Sequence, residues 1–297
     1  MAILIELKDE LGVSGQSSAA RPDRVGRAEV SYIDVSSILT PASGFMSQYK
    51  YTLNPYGGCF FGCEYCYARL FAPTAAKGKT WGRWVTVKRN ACELVAAACK
   101  SGELRSGDAV YMSSVTDPYQ PAERRVGLTR AILEAILEAG VQPRLTIQTR
   151  SPFAARDIDL FRQFERIRVN FTITTDSDSV RRRYEPHCPS ISARFKAAAA
   201  VALAGVQIGV SVSPMLPIEN VEDLGRRLLE LRAEEYVTQY LKPARSRFAA
   251  GSSTEVLRKV RDDGWTMSEY KAAREQLADM LSGWRPLLEG AQGYAPA

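Results

Sequence analysis

The chain has 297 residues, 45% of them hydrophobic and 24% charged, enough to bury a large core and within the range of an α/β barrel. Its 39 basic and 33 acidic residues leave a formal charge of +6, which permits an anionic partner such as nucleic acid, although the two signs are interspersed along the sequence. Six cysteines are too few for a disulfide scaffold, no apolar run is long enough to span a bilayer, and the opening MAILIELKDELGVSGQ carries acidic residues where a signal peptide would be basic; the expectation is a cytoplasmic chain with reduced thiols and no membrane contact.

Residues 1–47 read as an N-terminal leader and lead-in, with GQSSAARPDR as a flexible stretch. A strand-then-helix rhythm follows. The β-branched and aromatic runs YKYTLN, DAVYMSSV, RLTIQTR, IRVNFTITT, VQIGVSVSPML and YVTQYLK predict six strands between Tyr49 and Lys242. Between them, LTRAILEAILEAG ends in Gly140, ISARFKAAAAVALAG ends in Gly205, and NVEDLGRRLLELRAEE starts at Asn220 as a helix N-cap. Such alternation requires parallel pairing with right-handed crossovers, hence a doubly wound sheet or a barrel, with ligands at the carboxyl ends of the strands. The barrel is expected over 48–243. SSTEVLRKVRDDG and MSEYKAAREQLADMLSG predict helices in a C-terminal extension over 244–297.

After the first strand, Cys59, Cys63 and Cys66 stand at C-x3-C-x2-C spacing in NPYGGCFFGCEYCYARLF. Zinc would need a fourth ligand at finger-like spacing, and the nearest other cysteine is Cys92 while the one histidine is His187. Three thiolates suit a cubane iron–sulfur cluster with one iron open to a small molecule. Gly57, Gly58 and Gly62 would allow the backbone to wrap it closely. Cys92 and Cys99 lie in an alanine-rich helical pattern and read as small buried hydrophobes. A single cluster is therefore expected.

With Tyr65 before the third cysteine, this motif resembles the radical SAM superfamily. The segments SSVTDPYQPAERRVGLTRAILEAI, LTIQTRSPFAARDIDLF and YEPHCPSISARFKAAAAVALAGVQIGVSVSPMLP, in that order, resemble its spore photoproduct lyase-like group over roughly Tyr49 to Lys242. The resemblance implies a partial (β/α)6 barrel, a 4Fe-4S cluster on Cys59, Cys63 and Cys66, and S-adenosylmethionine on the open iron. It also implies an electron donor such as flavodoxin or ferredoxin. Tyr65 would pack over the adenine. Ser113, Ser114 and Asp117, at the end of the second strand, would contact the methionine part, against the plainer reading of TDPYQ as a turn. Arg150 and Thr172 match positions that bind carboxylate and ribose, and Arg suits the carboxylate through its bidentate fork. Glu185 and Arg194 read equally as cofactor contacts or as a structural ion pair.

One departure concerns the fate of the substrate radical. In spore photoproduct lyases a cysteine at the end of the second strand returns a hydrogen atom to the product radical, assisted by the tyrosines that flank the third cluster cysteine. The tyrosines are here, as Tyr65 and Tyr67, but the strand position holds Ser114, whose O–H bond is too strong to serve. Cys188 is the candidate substitute, or a bystander beside His187. The expected function is radical modification of a nucleic acid base or nucleotide. The alternatives are a peptide or small-metabolite substrate, and a cluster that only senses redox state or staples the fold.

Overall fold

The computed structural model describes residues 22–242 and 252–297. Residues 1–21, part of the expected leader and lead-in, and 243–251, which span the expected boundary between barrel and C-terminal extension, lie outside the described residues. The strands in chain order are β1 (Arg24–Val25), β2 (Ala28–Ile33), β3 (Leu39–Pro41), β4 (Tyr51–Leu53), β5 (Tyr56–Gly57), β6 (Trp84–Lys88), β7 (Ala109–Met112), β8 (Arg144–Thr149), β9 (Ile167–Thr172), β10 (Gln207–Val212), β11 (Glu235–Thr238) and β12 (Leu287–Glu289).

The six strands expected from the sequence are β4, β7, β8, β9, β10 and β11. They lie side by side in that order, all parallel. The partial (β/α)6 barrel is therefore present. The main sheet is extended by β12, parallel to β11, and by β3, antiparallel to β4. It is open, with β12 and β3 at opposite edges.

Alternation along each strand separates two faces. Ile147, Val169 and Val210 are buried in the main core together with Ile132 and Leu133 of helix Leu128–Glu138 and Val201 of helix Ile191–Leu203. Each such side chain contributes about 1.5–3 kcal/mol by leaving water. The other face carries Thr146, Gln148, Arg168, Asn170, Thr172 and Ser211. Their register pairs Gln148 with Asn170 and Thr172 with Ser211. A Cβ at Gly209 would meet Asn170 Oδ1 at 2.3 Å, so this crowded polar face admits only glycine there.

Two features were not foreseen. The lead-in supplies β1 and β2, which join β6 and β5 in a four-stranded sheet ordered β1-β2-β6-β5. The sequence WVTVK of β6 carries the β-branched signal that marks a strand. The C-terminal region also holds more than the two expected helices, Thr254–Asp262 and Met267–Leu281. After β12, the turn Gly290–Tyr294 crosses from one edge of the open sheet to the other. Gln48 Nε2 donates to the carbonyls of Ala291 (2.8 Å) and Tyr294 (3.1 Å), Tyr49 Oη donates to the Ala295 carbonyl (2.9 Å), and Tyr294 Oη lies 2.8 Å from Ser211 Oγ. Among the described residues no helix is long and apolar enough to cross a membrane.

Candidate active site at the strand ends

The cysteine loop leaves the small sheet at β5 and enters a 3-10 turn, Tyr67–Phe71. Its shape depends on glycine at two points. Gly58 has φ +70°, and a Cβ there would meet the Trp84 ring and carbonyl at 2.6 Å; Gly62 has φ +54° and abuts Gly82 and Arg27. Only a residue without a side chain fits either place. The C-terminal extension holds the loop from outside: Ser252 Oγ donates to the Tyr65 carbonyl at 3.2 Å, and Lys259 Nζ pairs with Glu64 at 2.5 Å.

Cys59 and Cys63 are buried and Cys66 is half-buried. Cys188, from the loop after the helix Asp178–Tyr184, brings its sulfur to 3.5 Å from that of Cys63. This contact, across 125 residues, holds the Cys63 thiol below its ordinary range, while burial and the hydrogen bond to Cys63 push Cys188 up. Burial, with Cys63 adding, pushes Cys66 up to about 11, and burial followed by Asp117 raises Cys59. Among the described residues no three His, Cys, Asp or Glu side chains are grouped as ligands of one metal ion. A cubane binds each thiolate on a separate iron, so its ligands need not converge on one point, and its iron would supply the positive charge that these buried thiols need to ionise.

At the end of β7, Ser113 takes φ +75°, an uncommon conformation for a residue with a side chain, and its Oγ is buried without a hydrogen-bond partner. Ser114 Oγ accepts from Asn54 Nδ2 at 3.2 Å, and the Ser114 carbonyl accepts from the Tyr67 hydroxyl. Tyr67 and the strand-end Ser114 are thus in contact. Asp117 turns inward. Its Oδ1 accepts from the Tyr119 amide (2.9 Å) and Thr149 Oγ1 (2.8 Å), and its Oδ2 accepts from the Arg150 amide (2.9 Å), which ties the end of β7 to the end of β8.

Arg150, Thr172, Glu185 and Arg194 belong to one buried polar cluster. Glu185 is fully buried. It accepts from Arg150 Nη1 (2.7 Å), Thr174 Oγ1 (2.8 Å), the Tyr65 hydroxyl and Arg194 Nη2. Burial alone would raise its carboxyl, but the two guanidinium groups, Arg194 foremost, outweigh it and hold the group down at about 2. Arg194, also fully buried, spends its other nitrogens on the carbonyls of Thr172 and Pro189, both at 3.2 Å. Arg150 retains 16% side-chain exposure, and its Nη1 also donates to the Tyr65 hydroxyl at 2.9 Å. Thr172 Oγ1 accepts from Gln148 Nε2 at 2.7 Å. The tyrosine expected over a base therefore has its hydroxyl committed to Glu185 and Arg150, with the Arg150 guanidinium 5.9 Å from its ring.

Three observations fit an iron–sulfur cluster with a small-molecule ligand. These are a soft three-thiol donor set, a loop whose glycines admit close approach, and an orphaned hydroxyl at Ser113 beside the loop. Cys92 and Cys99 lie on the helix Ala91–Ser101, Cys99 buried and Cys92 half-buried. Sequence reasoning missed Gln120, whose side chain holds the cysteine loop; a polar residue in TDPYQ was visible, but its partner 60 residues earlier was not.

A family model described as the radical SAM superfamily matches residues 53–230. The chain is 37% identical over 168 residues to an uncharacterised protein of Methanocaldococcus jannaschii, covering 57% of this chain and 61% of that one. It is 26% identical over 177 residues to a protein of Pseudomonas phage M6 named a radical SAM Nα-GlyT isomerase, covering 59% and 35%. The matched stretches thus span less than two thirds of these relatives' own length. Spore photoproduct lyase, in a solved complex with dinucleoside spore photoproduct, superposes with a TM-score of 0.60 at 18% identity, covering 96% of this chain and 92% of that one.

Proposed function

The chain belongs to the radical SAM superfamily, and from that premise we propose an enzyme that cleaves S-adenosylmethionine reductively at a single 4Fe-4S cluster on Cys59, Cys63 and Cys66 and acts on a nucleic acid base or nucleotide. The observation that carries the reading is the three-thiol loop beside the unpartnered Ser113 hydroxyl at the carboxyl ends of parallel strands. A 4Fe-4S cluster held by Cys59, Cys63 and Cys66 would supply the one-electron reduction of S-adenosylmethionine, and the cofactor would supply the hydrogen-abstracting chemistry toward substrate.

The chain's own residues bind and orient. Arg150 is held in place by Glu185 and Tyr65 through Nη1, which leaves the rest of its fork for the cofactor carboxylate. The Ser113 hydroxyl offers a hydrogen bond to the methionine part, and Thr172, at the end of β9, offers one to the ribose. Asp117 and Arg194 position these groups, the first through the Arg150 amide and the second through Glu185. Tyr67, 42% exposed and joined to Ser114, would assist in quenching a substrate radical. The nucleic acid reading draws on the lyase fold and the charge of +6. A peptide or small-metabolite substrate is favoured instead by serine at position 114. Flavodoxin or ferredoxin would supply the electron.

Anaerobic incubation with dithionite and S-adenosylmethionine is expected to yield 5'-deoxyadenosine, and Cys59→Ala, Cys63→Ala or Cys66→Ala to abolish it. No product from the wild type would refute the reading. Salt-dependent retardation of DNA or RNA separates the two substrate classes, since phosphate contacts weaken as salt rises.

A further inference from the structure

We infer that Gln120, acting with Thr116, is a positioning residue that fixes the backbone on both sides of Cys59. The inference rests on the cluster reading above. Gln120 is fully buried. Its Oε1 accepts from the Phe60 amide at 2.8 Å, and its Nε2 donates to Thr116 Oγ1 at 3.1 Å and reaches the Gly58 carbonyl at 3.5 Å. Thr116 Oγ1 in turn donates to that carbonyl at 2.5 Å. The residues before and after Cys59 are therefore both held by the end of β7, about 60 positions downstream in sequence. On the opposite side, Arg27 Nη2 donates to the Phe60 carbonyl at 3.0 Å.

The loop needs such partners. Between β5 and the turn at Tyr67 it has neither helix nor ladder, and buried peptide groups without partners are costly. A carboxamide accepts from an amide through its oxygen and donates through a separate nitrogen, without adding charge. Glutamate would keep only the acceptor and would set a negative charge beside a thiolate. Leucine would keep neither. By fixing φ and ψ around Cys59, Gln120 holds its sulfur ready for iron in the cluster-free chain. The run TDPYQ then serves two ends, since Asp117 joins two strand ends while Thr116 and Gln120 fix the loop.

The test compares wild type, Gln120→Leu, Gln120→Glu and the remote core variant Leu133→Ala, all reconstituted anaerobically. It follows iron release to a chelator, unfolding of the cluster-free chain, and hydrogen exchange at the Phe60 amide. Gln120→Leu is expected to release iron about 10–100-fold faster, the scale on which losing an outer-shell partner lowers metal affinity. It should also expose the Phe60 amide to exchange before any iron is added. Gln120→Glu should protect that amide again and recover part of the retention. Leu133→Ala should lose stability without faster release. Release at the wild-type rate from Gln120→Leu, or release that follows global stability across all variants, would overturn the inference while leaving the cluster reading intact. A wild type that holds no iron would overturn both.

Discussion

Replacing Glu185 by glutamine removes one negative charge from between two buried cations and leaves the shape nearly unchanged. The native carboxyl is held at about 2 against an ordinary 4.5. At about 1.4 kcal/mol per pH unit, that difference corresponds to about 3 kcal/mol of stability at neutral pH. Breaking a buried ion pair by removing one partner costs about 3–5 kcal/mol by general experience, which agrees. The sign follows from the depressed folded value. The contribution is complete above the unfolded value of 4.5 and is lost as pH falls toward 2. Urea unfolding of the cluster-free chain and of Glu185→Gln, over a pH series, reads it directly. The variant should be less stable by about 3 kcal/mol at neutral pH, and the gap should close as pH falls through the acid range. A variant as stable as wild type at neutral pH, or a gap indifferent to pH, would show that the charge of Glu185 does not hold Arg150 and Arg194.

Arg150→Ala should weaken S-adenosylmethionine binding by about 1.5–3 kcal/mol, the worth of a charge-assisted hydrogen bond, as read by calorimetry; because Arg150 also pairs with Glu185, it should lower stability as well. Gly58→Ala should impair iron uptake on reconstitution, since a Cβ would strike the Trp84 ring and carbonyl at 2.6 Å in a left-handed conformation that costs a further 1–2 kcal/mol or so. With dinucleoside spore photoproduct as substrate, the wild type should form 5'-deoxyadenosine without repair, if Ser114 takes the place of the hydrogen donor as the sequence resemblance implies. Clean repair would refute that reasoning and turn attention to Cys188, tested by Cys188→Ala, or to a relay through Tyr65 and Tyr67.

The repeating core and the cysteine loop were legible because their signals are local. Ile147, Val169 and Val210 sit in short β-branched runs bounded by polar residues, and three cysteines within eight residues announce themselves. What stayed hidden depends on partners distant in sequence. Nothing in YEPHCP says that Glu185 will meet both Arg150 and Tyr65, 35 and 120 residues away. The contact between Cys188 and Cys63 arises only when the loop after Asp178–Tyr184 folds over the cysteine loop. β6 shows a different limit. WVTVK had the composition of a strand, but a strand outside the alternating rhythm finds its place only once β2 and β5 are known to flank it.

The central claim is that three thiols hold one open cluster where S-adenosylmethionine binds. Anaerobic reconstitution followed by electron paramagnetic resonance of the reduced protein tests it most directly. About four irons per chain are expected, the content of one cubane, with a signal that changes when S-adenosylmethionine is added and disappears in Cys66→Ala. Iron near twice that amount, or a signal indifferent to the cofactor, would contradict it.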